Sequence, residues 1–87
     1  MPDRRRALKP EYREVVRERV EEIAVAHSLS PREREVFVLL LYGFMADEIA
    51  DKLGVSTRTV KFHQANVLDK LNADSRLELF RLFFAAD

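Results

Sequence analysis

Apolar residues recur along this chain at helical spacing, and every strong periodicity is helical. From Pro10 onward, Tyr12, Val16, Val20, Ile23 and His27 fall on one stripe, with Glu and Arg elsewhere. That pattern predicts an amphipathic helix of about four to five turns. Ser30-Pro31-Arg32-Glu33 then combines a capping serine, a proline at the first helical position and a glutamate three residues on, which is a capping box. The helix it opens has Val36, Leu39 and Leu40 on its inner face and ends at Gly43. A short third helix is expected from Asp47 to Leu53, with Ile49, Ala50 and Leu53 inward and Gly54 as its stop. Ser56 caps a fourth, from Thr57 to Leu71. After a turn, Ser75 or Asp74 caps a fifth that runs to about Ala86. The chain is read as all-α.

The fourth helix carries an anomaly. At about 100° per residue, Val60, Gln64, Val67 and Leu71 form its inner stripe, with His63 and Leu68 at the edges. Phe62 points almost directly away from that stripe, between Arg58, Lys61, Ala65, Asn66 and Asp69. An exposed aromatic among polar and basic residues implies a partner on that side.

Composition narrows the setting. Eighty-seven residues suit one small domain. The absence of cysteine excludes disulfides and thiol chemistry. No apolar run approaches the roughly 20 residues of a membrane span, and Met-Pro-Asp-Arg-Arg-Arg is followed by no apolar segment, so a cytoplasmic protein with no membrane contact is expected. Fifteen basic residues balance 15 acidic ones, and residues 29–87 hold eight Lys or Arg against nine Asp or Glu. Any attraction to nucleic acid must therefore come from local arrangement. The charge run of the first helix reads as a solvated face. No nucleophile–base pair or glycine-rich phosphate loop is present, and Glu33 and Glu35 lie on different helix faces. His27 and His63 alone make no metal site. Neither catalysis nor a cofactor is expected.

Two helices joined by Leu53-Gly54-Val55-Ser56 have the spacing of a helix-turn-helix corner. Glycine there tolerates a left-handed backbone, Val55 plugs the angle, and Ala50 allows close approach. The match then becomes specific. Leu29-Ser-Pro-Arg-Glu-Arg-Glu-Val36, Glu48-Ile-Ala50, Leu53-Gly-Val-Ser56, Thr59-Val-Lys-Phe-His63, Lys70-Leu71 and Ser75-Arg-Leu-Glu-Leu79 resemble, in order and spacing, the LuxR-type helix-turn-helix domain of bacterial regulators. The sigma-factor region that reads the promoter's upstream element shares the capping segment and the Glu-Ile-Ala turn. It lacks the Thr59-Val-Lys-Phe-His63 and Ser75-Arg-Leu-Glu-Leu79 runs.

The resemblance implies a four-helix LuxR-type domain over 29–87, preceded by an extra amphipathic linker or dimerisation helix and N-terminal arm over 1–28. It implies a sequence-specific transcription regulator with the helix of residues 57–71 in the major groove of double-stranded DNA. Lys61 would reach phosphate or a guanine edge, and Phe62 a thymine methyl or sugar, with Ala65 and Asn66 further along the same face. Ser56, Thr57 and Thr59 at the helix start, and Arg58 beside them, would hold the phosphate backbone. His63, at the core edge, is expected to make a structural hydrogen bond. The family also carries receiver or ligand-binding domains upstream. With only 28 residues before the match, the chain is read either as an excised output domain or as a small stand-alone regulator.

Two departures temper this. Met45-Ala46-Asp47 stands where the family has a polar cap and a lysine. From Asp47 to Asn72, four acidic residues (Asp47, Glu48, Asp51, Asp69) equal four basic ones (Lys52, Arg58, Lys61, Lys70). Weak binding by a single copy is expected. The last helix is apolar nearly all round, and the family uses it for a symmetric dimer, so Leu79, Leu82 and Phe83 are expected at a homodimer contact. Cover by the Tyr12–Ile23 helix is the intramolecular alternative. The rival class is a protein-interaction module: a degenerate helix-turn-helix that binds another regulator or RNA polymerase.

Overall fold

The computed structural model describes residues 10–84, and every regular element among them is helical: α1 (Pro10–His27), α2 (Pro31–Leu41), α3 (Ala46–Leu53), α4 (Thr57–Lys70) and α5 (Arg76–Phe84). The N-terminal arm of residues 1–9 and the expected end of the last helix near Ala86 lie outside the described residues. Among the described residues no helix is long and apolar enough to cross a membrane.

The helix starts follow local chemistry. At α2 the capping box is complete: Glu33 N–H donates to Ser30 Oγ at 3.1 Å, and Ser30 N–H donates to Glu33 Oε1 at 2.9 Å. At α4, Thr59 N–H donates to Ser56 Oγ at 3.0 Å. At α5, Glu78 N–H donates to Ser75 Oγ at 3.2 Å, so serine is the cap. Asp74 does not cap. Its own N–H donates to Glu78 Oε1 at 2.7 Å. The expected start of α3 is corrected. The helix begins at Ala46, leaving Asp47 inside the first turn, because Glu48 reaches back to accept Met45 N–H at 2.8 Å.

α4 is the central element, packed against both α2 and α3, while α1 lies on α2. One core runs through all five helices, with Val20, Val36, Phe37, Leu40, Ile49, Val60, Val67 and Leu79 almost wholly enclosed. Each such side chain contributes about 1.5–3 kcal/mol relative to exposure. The corner between α3 and α4 forms as expected. Gly54 adopts φ +69° and its N–H donates to Ala50 O, closing α3. Space around its missing Cβ is open, so glycine's role there is conformational. Ala50 is buried beneath the corner and Val55 is half-buried against the core.

Several inward assignments shift. In α1, Tyr12 and His27 are exposed and Ala24 is buried instead. The buried stripe steps through Val16, Val20 and Ala24, which turns about 40° per step and leaves Tyr12 at its rim. His27, the last residue of the helix, sits past the end of the packed stretch. In α2, Phe37 and Leu41 join Val36 and Leu40 in the core, and Leu39 is only half-buried.

Candidate nucleic-acid interface

The inner side of α4 is fixed by Val60 and Val67, both fully buried, with Leu71 just beyond its last turn. Helical geometry then leaves Arg58, Lys61, Phe62 and Ala65 exposed on the opposite side, with Asn66 half-buried beside them. The Phe62 side is open: the residue is 63% exposed. At the start of the same helix Ser56 is exposed, and Thr57 and Thr59 are half-buried. Ser56 Oγ also donates to Thr59 Oγ1 at 2.9 Å, which orders both hydroxyls at a helix N-terminus. The eight residues singled out on α4 and its cap thus form one continuous surface. A shallow groove beside it, lined in part by Met45, Ala46, Lys61, Gln64 and Ala65, joins that surface to the start of α3. Met45, noted in the sequence only as a departure from the family, and Gln64, placed there on the inner stripe of α4, both line this groove. Their signal was three-dimensional adjacency.

The electrostatics of the face are set by what the basic residues already hold. Lys70 Nζ donates to Glu33 Oε1 at 2.8 Å and to Ser28 O at 3.0 Å, tying the end of α4 to the start of α2. Glu33 is buried. The hydrogen bond from Lys70, followed by that from Ser30 N–H, holds its carboxyl below the usual carboxylate range despite burial. Lys52 lies over the Phe44 ring, 4.6 Å from its centroid. Arg76, in the Ser-Arg-x-Glu-Leu run, donates to Phe44 O at 2.6 Å in the link between α2 and α3 and to Leu40 O at 3.3 Å in the last turn of α2. Arg58 and Lys61 have no hydrogen bond or ion pair among the described residues. Both side chains are exposed on the outward side of the helix.

His63 corrects an expectation. Its Nδ1 is buried with no hydrogen-bond partner among the described residues, so the expected structural hydrogen bond is not made through that atom. The ring instead meets Phe62 edge-on, with centroids 5.6 Å apart and planes at 64°. This contact braces the exposed aromatic from its inner side.

α5 is placed differently from its sequence reading. Leu79 and Phe83 are turned into the chain's own core, and Leu82 is half-exposed. Leu77 and Phe84 are the most open apolar residues of the helix. The helix offers an apolar surface, but Leu82 is the only member of the expected contact trio that stands on it.

A family model described as bacterial regulatory proteins, luxR family, matches residues 27–83. The chain is 43% identical over 65 residues to the tetrathionate response regulatory protein TtrR of Salmonella typhimurium, covering 75% of this chain and 32% of that protein. It is 44% identical over 59 residues to the transcriptional regulatory protein FixJ of Bradyrhizobium diazoefficiens (68% of this chain, 29% of that one). To the transcriptional regulatory protein UhpA of Escherichia coli it is 43% identical over 56 residues (64% and 29%). The chain therefore spans about a third of the length of these relatives. No solved structure matches the chain.

Proposed function

This chain belongs to the LuxR family of bacterial regulatory proteins, a class of DNA-binding transcription regulators rather than enzymes, and from that premise we propose that it reads a specific DNA sequence with α4 in the major groove. The observation that carries the reading is the outward face of α4, where an exposed Phe62 is flanked by Arg58 and Lys61, two cations with no partner among the described residues. Lys61 pairs with a base edge or phosphate, Phe62 packs on a thymine methyl or sugar, and Ala65 leaves room for the backbone to approach. Asn66 bonds an adenine edge. Ser56, Thr57, Arg58 and Thr59 hold phosphates at the helix N-terminus.

Two available cations give little electrostatic grip, and exposed Asp69 beside Phe62 on α4 adds repulsion. A homodimer that doubles the contact is therefore part of the proposal, with two copies of α4 on half-sites about one helical turn apart. Residues 1–28 act as the linker or dimerisation segment and 29–87 as the DNA-reading unit. Control by a receiver or ligand-binding domain, contact with RNA polymerase and action in the cytoplasm belong to the same reading. The test is selection of binding sites from random double-stranded DNA at low salt, followed by mobility shift with Lys61→Ala and Phe62→Ala. Enrichment of one motif, lost in both variants, is expected. Failure to enrich any motif, or two variants that bind like the parent, overturns the proposal.

A further inference from the structure

α1 lies almost wholly outside the segment that matches the family, and its exposed side is not polar throughout. Tyr12 is 56% and Val15 59% exposed, and with Arg19 they border a mainly apolar groove of about 520 Å³ that continues across Leu41 to Phe83 and Phe84. Phe84, 64% exposed, stands on its far rim. The patch is continuous over two helices, so its occupant must present apolar surface of similar extent.

The charges around Val15 identify that occupant. Glu11 and Arg19 lie four residues to either side of Val15, about 40° from it on opposite flanks. In a two-fold pair of antiparallel α1 helices crossing at Val15, residues equidistant from Val15 come level. Arg19, 3.6 Å from Glu22 on its own helix, then comes level with Glu11 of the other copy, twice, and can pair with it from the same exposed rim. A parallel pairing sets Glu11 against Glu11 and Arg19 against Arg19, and an antiparallel crossing centred on Glu18, Arg19 or Glu22 puts like charges at the axis. We propose that the α1–α5 groove is a self-complementary docking surface for a second copy of this chain, with the two α1 helices antiparallel across Val15. The inference rests on the DNA-binding reading only in giving the dimer its use. It moves the contact from α5 alone to the segment that precedes the family domain.

Sedimentation equilibrium of the full chain tests it, with circular dichroism to follow the fold. A concentration-dependent dimer is expected, abolished by Val15→Glu with helicity retained. Glu11→Arg or Arg19→Glu alone weakens association about tenfold, since each turns two attractive rim pairs repulsive. The double exchange restores association to within a few-fold of the parent. These two positions are exposed or half-exposed, so the exchange decides the matter even if Val15→Glu disturbs α1. A strict monomer at all concentrations overturns the inference. So does a dimer that survives Val15→Glu but is split by Leu82→Glu, or a double exchange no better than the singles. Site selection with the parent separates the two readings. A dimer that enriches no DNA defeats the DNA reading and leaves this surface standing, while a strict monomer that selects a motif removes this surface and the homodimer and leaves only the reading of DNA by α4.

Discussion

Phe62 and Phe84 are almost equally exposed, at 63% and 64%, yet they stand in opposite surroundings. Phe62 rises from a helix face of Arg58, Lys61 and Asn66, and among the described residues its one ring contact is the edge of His63. Phe84 belongs to an aromatic cluster, parallel to Phe80 at 6.2 Å and edge-on to Phe83 at 4.8 Å, at the rim of an apolar groove. Exposure states only that a partner is absent. The neighbours set the chemistry that each face suits: a polyanion with apolar spots such as thymine methyls under the proposed DNA reading at Phe62, and a protein surface under the proposed self-docking at Phe84.

A third phenylalanine gives the scale against which both are measured. Phe37 is 1% exposed in the centre of the core. Phe37→Ala is expected to lower stability by about 3–5 kcal/mol in urea denaturation, a large share of what so small a domain possesses. Phe62→Ala and Phe84→Ala should each stay within about 0.5 kcal/mol of the parent. A large loss in either would mean that the side chain is held in the fold and is not waiting for a ligand.

The next largest effect separates the exposed pair by readout. Lys61→Ala and Phe62→Ala are expected to weaken binding to the selected DNA by about 1–3 kcal/mol, measured by fluorescence anisotropy, while leaving self-association unchanged. Phe84→Ala should do the opposite, raising the dimer dissociation constant and affecting DNA only through loss of the second copy. If Phe84→Ala and Phe62→Ala have the same profile, the contrast between the two faces fails.

Much of this contrast was legible in the sequence, for a physical reason. The face of α4 is set by local periodicity, and Val60 and Val67 fix its phase without reference to any other element. The caps at Ser30 and Ser56 and the left-handed Gly54 are equally local, and all appear as expected. α5 is apolar nearly all round, so periodicity could not choose which side turns inward. Packing chose Leu79 and Phe83, leaving Leu77 and Phe84 outside. Pairings distant in sequence were equally invisible. Lys70 meets Glu33 across 37 positions, and Arg76 meets Phe44 O across 32. No local rule foretells either bond, and the first removes a lysine from the cations counted toward phosphate.

The Glu33–Lys70 pair sharpens the comparison from the stability side, because it anchors the end of the helix that presents Phe62. Glu33 has its folded pKa lowered by Lys70 and by the Ser30 N–H. The pair therefore contributes stability that is present above the unfolded value of about 4.3 and is lost as pH falls through the folded value. Glu33→Gln is expected to cost about 1 kcal/mol at neutral pH and to flatten the acid limb of the stability curve. At the acid end, below the folded pKa, parent and variant should converge. A variant that tracks the parent's pH dependence throughout would remove Glu33 as its source.

The smallest effect tests how few charges the α4 face commits. With Lys70 held by Glu33, Lys52 over an aromatic ring and Arg76 bound to carbonyls, the proposal leaves Arg58 and Lys61 as the cations that α4 and its flanks offer to phosphate among the described residues. At about 0.9 per phosphate neutralised, log affinity should fall with log salt at a slope of about 2 per copy, and about 4 for a dimer. Arg58→Gln is expected to lower that slope by about 1 per copy and to weaken all sequences alike. The selected motif would then be unchanged, because a backbone contact positions the helix without reading it. A much steeper parent slope would mean that lysines now held inside the fold are released on binding, and the neat division between structural and available cations would break. A slope near 2 per copy would instead leave Phe62 and its apolar contacts carrying more of the recognition than charge does.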